Sequence, residues 1–201
     1  MGETIGAQGY GCPMTAGPSV PIVLLTGPPG GGKSTVGRLV AEAFERSVHI
    51  EADIVRESIV GGFVHPSSEM FGDEGIAQFA LQREIVVAWA LRKAEAGYVP
   101  VIDDAPIPPD GRFEEQYAPL LALPSARPVV LRADGEVVRG RIRARGGTFD
   151  EILVSVVDET LGWLDDFDDE RWFTVDSTDL TVEESAAAIV EHVRSTDEMH
   201  R

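Results

Sequence analysis

Gly27-Pro28-Pro29-Gly30-Gly31-Gly32-Lys33-Ser34-Thr35 follows an apolar run, Val20 to Leu25, and leads into a helical pattern, Val36 to Phe44. The stretch fits G-x-x-x-x-G-K-[ST], with the strand before and the helix after that this pattern requires. Glycines let the loop wrap closely, so its backbone N–H groups converge on a polyphosphate. The helix that starts at Lys33 aims its positive end at the same anion. Lys33 adds a mobile charge for β- and γ-phosphates, and Ser34 offers a hydroxyl to Mg²⁺. A glycine-rich turn with a chance lysine is the competing reading. Against it, the chain has only two lysines, Lys33 and Lys93, beside fifteen arginines, and one of them stands at the motif position.

At 201 residues the chain suits one domain with a proper core. Residues 1–19 mix Gly, Pro, Ser and Thr and read as a disordered tail; 20–196 read as the domain and 197–201 as a short C-terminal tail. No apolar stretch reaches membrane-spanning length, and no basic-then-apolar leader opens the chain. With the single cysteine, Cys12, in the tail, a reducing cytoplasm is the expected location. The formal charge of −17 repels nucleic acid and anionic membrane, so neither is an expected partner. The late acidic run, from Asp158 to Glu170, reads as a solvated face. Oligomeric state is not readable.

Strands are expected at Val20–Thr26, Val48–Ala52, Val99–Ile102, Arg127–Leu131 and Trp172–Val175. Helices are expected at Ser34–Arg46, Asp53–Val60, Glu74–Ala96, Phe113–Leu121, Gly135–Arg145, Phe149–Leu164 and Thr181–Val193, with Trp89, Trp163 and Trp172 in the core. Alternation of this kind means an α/β fold: a five-stranded parallel sheet with helices on both faces, in three layers. Ligands then bind beyond the carboxyl ends of the strands, so polar residues just after each strand should cluster.

After the second strand comes Asp53, with Arg56 one helical turn on. Such a pair can accept a hydroxyl proton while the arginine orients the substrate. It can equally be a helix cap with its ion pair. Glu51 is a second candidate for the base. After the third strand come Asp103 and Asp104, one of which is expected to hold hydrated Mg²⁺ while the other faces substrate or serves as base. After the fourth come Arg139, Arg141, Arg143 and Arg145. Arg141 and Arg145 share a helix face and could close over ATP as a lid, with Gly140, Gly146 and Gly147 giving it freedom. The alternative is a salt-bridged surface helix. The loop with His65, Ser67 and Ser68 is placed to shape an acceptor pocket, and Asp176-Ser177-Thr178 to border the adenine. Metal-ligating clusters of His or Cys and a Ser-His-Asp set are absent from the pattern. The chain has no asparagine, and so lacks the Asn-Lys-x-Asp element of guanine selection.

The order of these features resembles small P-loop kinases of the chloramphenicol phosphotransferase, zeta toxin, shikimate kinase and gluconate kinase kind. The Walker B stretch of chloramphenicol phosphotransferase looks like Val101-Ile102-Asp103-Asp104, its arginine segment like Gly140 to Gly146, and its tail like Val175-Asp176-Ser177-Thr178. The Asp-x-x-Arg of Asp53 and Arg56 looks more like shikimate kinase. The resemblance spans about residues 20–195 and implies an ATP- and Mg²⁺-dependent phosphotransferase acting on a small-molecule hydroxyl, an antibiotic or other natural product being one option. It implies Asp53 as base, with Lys33 and Arg141 or Arg145 at the migrating phosphoryl group. Alternatives are a kinase of nucleotide sugars, sugar acids or nucleotides, and a nucleotide-binding ATPase switch.

Overall fold

The computed structural model describes residues 19–65, 72–107, 112–147, 150–167 and 170–199. The five strands are β1 (Ile22–Thr26), β2 (Ser47–Glu51), β3 (Val99–Asp104), β4 (Ala126–Arg132) and β5 (Phe173–Asp176). They form one sheet in the order β2-β3-β1-β4-β5, and every pairing is parallel. The helices are α1 (Lys33–Glu42), α2 (Ala52–Glu57), α3 (Asp73–Glu95), α4 (Phe113–Leu121), α5 (Gly135–Arg145), α6 (Asp150–Ser155), α7 (Val157–Gly162) and α8 (Val182–Met199). The tail expected over 1–19 falls, except for Ser19, outside the described residues.

Strand alternation builds the layers. Ile22 and Leu24 of β1 face one cluster with Val86 and Ala90 of α3 and Tyr117 and Leu120 of α4. Val23 and Leu25 face the other, with Val36 and Val40 of α1 and Ile189 and Val193 of α8. Each fully buried aliphatic side chain contributes about 1.5–3 kcal/mol. β1 is apolar on both faces because helices cover both, as a central parallel strand requires.

Two expectations fail on local grounds. The single helix over Phe149–Leu164 is instead α6 and α7 with a turn at Val156, followed by a 3₁₀ segment at Trp163–Phe167. Val154, Val156 and Val157 are β-branched and poor at sustaining helix through that point. Trp89 is 40% exposed and not a core residue. The buried stripe of α3 runs through Phe79, Val86 and Ala90, and Trp89 falls off its edge. Trp172 is buried as expected, and α8 runs on to Met199, past the expected domain limit at 196.

α5 and α7 share a small core of their own through Val138, Ile142 and Val157, with Leu153 and Val154 of α6 packed against it. Ile142 ties it to the rest: a Cβ on Gly30 would meet Ile142 Cγ1 at 2.3 Å. The base of the arginine helix therefore rests on the glycine loop.

Candidate active site

Register brings the strand tips to one edge. Leu25 pairs with Asp103 and Thr26 with Asp104 across β1 and β3, while Glu51 pairs with Asp103 across β2 and β3. The loop after β1 therefore lies between α2 on the β2–β3 side and α5 on the β4–β5 side. A cleft of about 730 Å³ opens there, lined by Pro29 to Val36, Asp53, Arg56, Asp103, Asp104, Arg141, Arg145 and neighbours.

The loop has the backbone its sequence demands. Gly30 and Gly32 sit at φ 76° and 95°, a region that residues with a Cβ rarely adopt. Gly32 caps α1, and Gly31 N donates to Pro28 O at 3.0 Å. Lys33 Nζ donates to Pro28 O at 3.1 Å. Burial pushes its ammonium pKa down, opposed by Asp103, Asp53 and Asp104. An ammonium held this way suits an incoming polyphosphate.

Asp103 and Asp104, adjacent in sequence, meet different partners. Ser34 Oγ donates to Asp103 Oδ1 at 3.0 Å, and His49 Nε2 lies 2.6 Å from Asp103 Oδ2. A hydroxyl and a carboxylate joined beside a phosphate loop form a donor set that fits Mg²⁺, which takes few protein oxygens and keeps water and phosphate as its other ligands. Among the described residues no group of three His, Cys, Asp or Glu gathers for a metal. Asp104 is engaged elsewhere. Its Oδ1 accepts from Gln82 at 3.2 Å, and its Oδ2 from Arg83 Nε at 2.8 Å and Tyr117 at 3.1 Å. Burial raises the Asp104 pKa, opposed chiefly by Arg83. The expected metal or substrate role for Asp104 therefore meets a carboxylate whose two oxygens already have protein donors.

α2 starts one residue earlier than expected, at Ala52, and Asp53 does not cap it; Glu51 holds that position without a side-chain bond. The Asp53 carboxylate is 65% exposed and lines the cleft, 4.0 Å from Arg56 Nη2. Arg56 is buried between the rings of Phe63 and Phe79, and its Nη1 donates to Val64 O at 3.1 Å. His65 does not line the cleft; Ser67 and Ser68 lie outside the described residues.

The four arginines of α5 separate by face. Arg141 Nη1 donates to Gly31 O at 3.2 Å and Ser177 Oγ at 3.1 Å, and its Nη2 to Ser177 O at 2.8 Å. Arg145 pairs with Asp150 at 2.7 Å. Both line the cleft, Arg139 turns to Asp158, and Arg143 is exposed.

Sequence reasoning missed Arg83, Gln82, Tyr117 and His49. Arg83 is completely buried and also donates to Gln116 Oε1 at 2.6 Å, Ala105 O at 3.0 Å and Ile107 O at 2.5 Å. Its signal was an arginine on the apolar stripe of α3, four residues after Phe79. His49 leaves a second trace: a Cβ on Gly37 would meet its Nε2 at 3.0 Å, so α1 is notched where the imidazole passes.

The fold is that of known structures. The shikimate kinase of Acinetobacter baumannii, solved in complex with shikimate, superposes with a TM-score of 0.61 at 20% identity, over 89% of this chain and 95% of that one. The chain has the fold of shikimate kinase. The tunicamycin resistance protein of Deinococcus radiodurans superposes with a TM-score of 0.62 at 20% identity, over 87% of this chain and 95% of that one. In sequence, the shikimate kinase of Salinispora arenicola is 45% identical over 69 residues, 34% of this chain. That match spans 39% of the relative's length. No family model matches the chain. Among the described residues no helix is long and apolar enough to cross a membrane.

Proposed function

We propose that the protein is an ATP-dependent phosphotransferase that moves the γ-phosphoryl group of ATP onto a hydroxyl of a small molecule. The observation that carries this reading is the Ser34–Asp103 hydrogen bond beside the Lys33 loop, at the floor of a cleft that continues to Asp53. The loop amides and Lys33 hold the β- and γ-phosphates. Ser34 and Asp103 are the residues to hold Mg²⁺, which when bound neutralises charge on the phosphates. Asp104 serves the scaffold instead. Arg141 and Arg145 complete the nucleotide side.

On the opposite side Asp53 takes the proton as the acceptor oxygen bonds to the γ-phosphorus. The bond from that phosphorus to the β,γ-bridging oxygen breaks, and ADP leaves. The similarity to shikimate kinase over the matched segment supports a hydroxyl acceptor. An antibiotic or other natural product as acceptor draws support from the tunicamycin resistance protein among the structural neighbours.

The test is a transfer screen with purified protein, ATP and Mg²⁺ over sugars, nucleosides and hydroxylated antibiotics, read by mass. A phosphorylated alcohol formed in step with ADP is the expected result. ADP formation with no phosphorylated product would favour a hydrolytic switch instead.

A further inference from the structure

We infer that the outer face of α3 is an interface to a second copy of this chain, with the two α3 helices packed antiparallel about a two-fold axis near position 83. This surface is separate from the cleft, which among the described residues takes only Phe79 from α3. The inference therefore goes beyond the phosphotransferase reading.

α3, Asp73–Glu95, is about 34 Å long at 1.5 Å per residue. One side of it, through Phe79, Arg83, Val86, Ala90 and Ala94, is buried in the protein. The other side carries Leu81 at 50% exposure, Ile85 at 43% and Trp89 at 40%. Single exposed apolar residues are ordinary, but these three stand four residues apart in one row.

Along this side runs a seam of Glu74, Gln78, Leu81, Ile85, Ala88 and Arg92, separated alternately by four and three residues. Such a seam packs two helices at a shallow angle, about 20°, so they stay close over several turns. Its order decides the occupant. Turned end for end about position 83, the seam sets Glu74 opposite Arg92 of the second copy, Leu81 opposite Ile85, and Gln78 opposite Ala88. The two-fold axis repeats each pairing, as an isologous contact requires. A parallel pairing would instead set Glu74 on Glu74 and Arg92 on Arg92.

The local structure suits this arrangement. Gln78 donates to Gly62 O at 2.7 Å and accepts from Val64 N at 3.0 Å, so a chain segment lies over it; the small Ala88 is what faces that bulk. Arg92 pairs with Glu95 of its own helix while 70% of its side chain stays exposed, and Glu74 is exposed as well. Trp89 flanks the seam beside Ile85 and is covered by the same contact. Glu84, exposed on the other flank, lies close to the axis and faces its own copy there. The formal charge of −17 per chain opposes association at low ionic strength. At about 0.15 M salt the screening length is about 8 Å, which weakens that long-range repulsion more than the contacts in the seam.

The test is sedimentation equilibrium of the full chain at about 0.15 M salt, with thermal unfolding to show that each variant is folded. The wild type is expected to dimerise. Ile85→Glu, next to the axis in both copies, should weaken the dimer by at least about 100-fold. Glu74→Arg and Arg92→Glu should each weaken it by about tenfold, and the two together should return it to within about threefold of the wild type. Glu84→Gln should tighten it. A wild type that stays monomeric would leave this face to residues 1–18 or to a different protein and would overturn the inference. So would a dimer indifferent to Ile85→Glu, or one that the double charge exchange fails to restore.

Discussion

His49 Nε2 lies 2.6 Å from Asp103 Oδ2, reaching across from the neighbouring strand, while Ser34 holds the other oxygen of the same carboxylate. On the proposed reading Asp103 holds Mg²⁺; an imidazole bonded to that carboxylate fixes its rotamer, and losing such a partner typically costs about 10–100-fold in metal affinity. His49→Phe should therefore weaken the Mg²⁺ dependence of nucleotide binding by about that factor. Gly37→Ala should act in the same direction, because its methyl would enter the space of the imidazole. Calorimetry with ATP across a magnesium series checks both. An unchanged magnesium midpoint in both variants would mean that His49 only packs.

Arg83 and Asp104 form a pair in which both side chains are essentially inaccessible. Removing one partner strands the other charge, at a typical cost of about 3–5 kcal/mol. Arg83→Met should therefore lower unfolding stability by about that amount, and Arg83→Met with Asp104→Leu should recover part of it. Urea unfolding of the two variants measures the difference. The single variant should also raise KM for the acceptor, since Arg83 holds the segment after β3 that walls the cleft.

Thr181 and Glu184 close the start of α8 reciprocally. Thr181 N donates to Glu184 Oε2 at 2.8 Å, and Glu184 N donates to Thr181 Oγ1 at 3.1 Å. The backbone bond from Thr181, then its hydroxyl, holds the Glu184 carboxyl below its usual range. A lowered folded pKa means stability that is fully present above the ordinary glutamate pKa and lost as pH falls through the folded value. Glu184→Gln should therefore cost stability at neutral pH and flatten the acid limb of the thermal unfolding profile below about pH 4.5. Parallel acid limbs for the two proteins would contradict this.

Asp53 and Arg141 occupy opposite halves of the cleft, so their loss should separate kinetically. Asp53→Asn should lower kcat by about 10²–10⁴-fold with nucleotide affinity unchanged. Arg141→Ala removes the tie between Gly31 and Ser177 and should raise KM for ATP as well as lowering kcat. Steady-state kinetics over both substrates distinguishes the patterns.

Much of this architecture was readable before any coordinates. The glycine loop announced itself, and the alternation of strands and helices placed Asp103 at a strand tip, Asp53 just after one, and Arg141 on the helix that follows the fourth strand. The unreadable parts are those decided by contacts distant in sequence. Asp103 and Asp104 look alike in a row of residues; they differ because successive side chains of a strand point to opposite faces, so one meets Ser34 and the other Arg83 of α3. Arg83 was visible as a charge on an apolar stripe, but its partner lies 21 residues on. The break at Val156 had a local signal in its β-branched neighbours, and the capping box of Thr181 and Glu184 was written in plain order.

The central claim is that the loop ending in Lys33 grips the phosphates of a nucleotide. Isothermal titration of MgATP into the wild-type protein and into Lys33→Met tests it most directly, with thermal unfolding of both to show that the variant is folded. The variant should melt no lower than the wild type, because it no longer buries an ammonium whose pKa burial depresses. Saturable, magnesium-dependent binding to the wild type and its loss in the variant is the predicted result. Absence of binding to the folded wild type, or equal binding to both, would contradict the account.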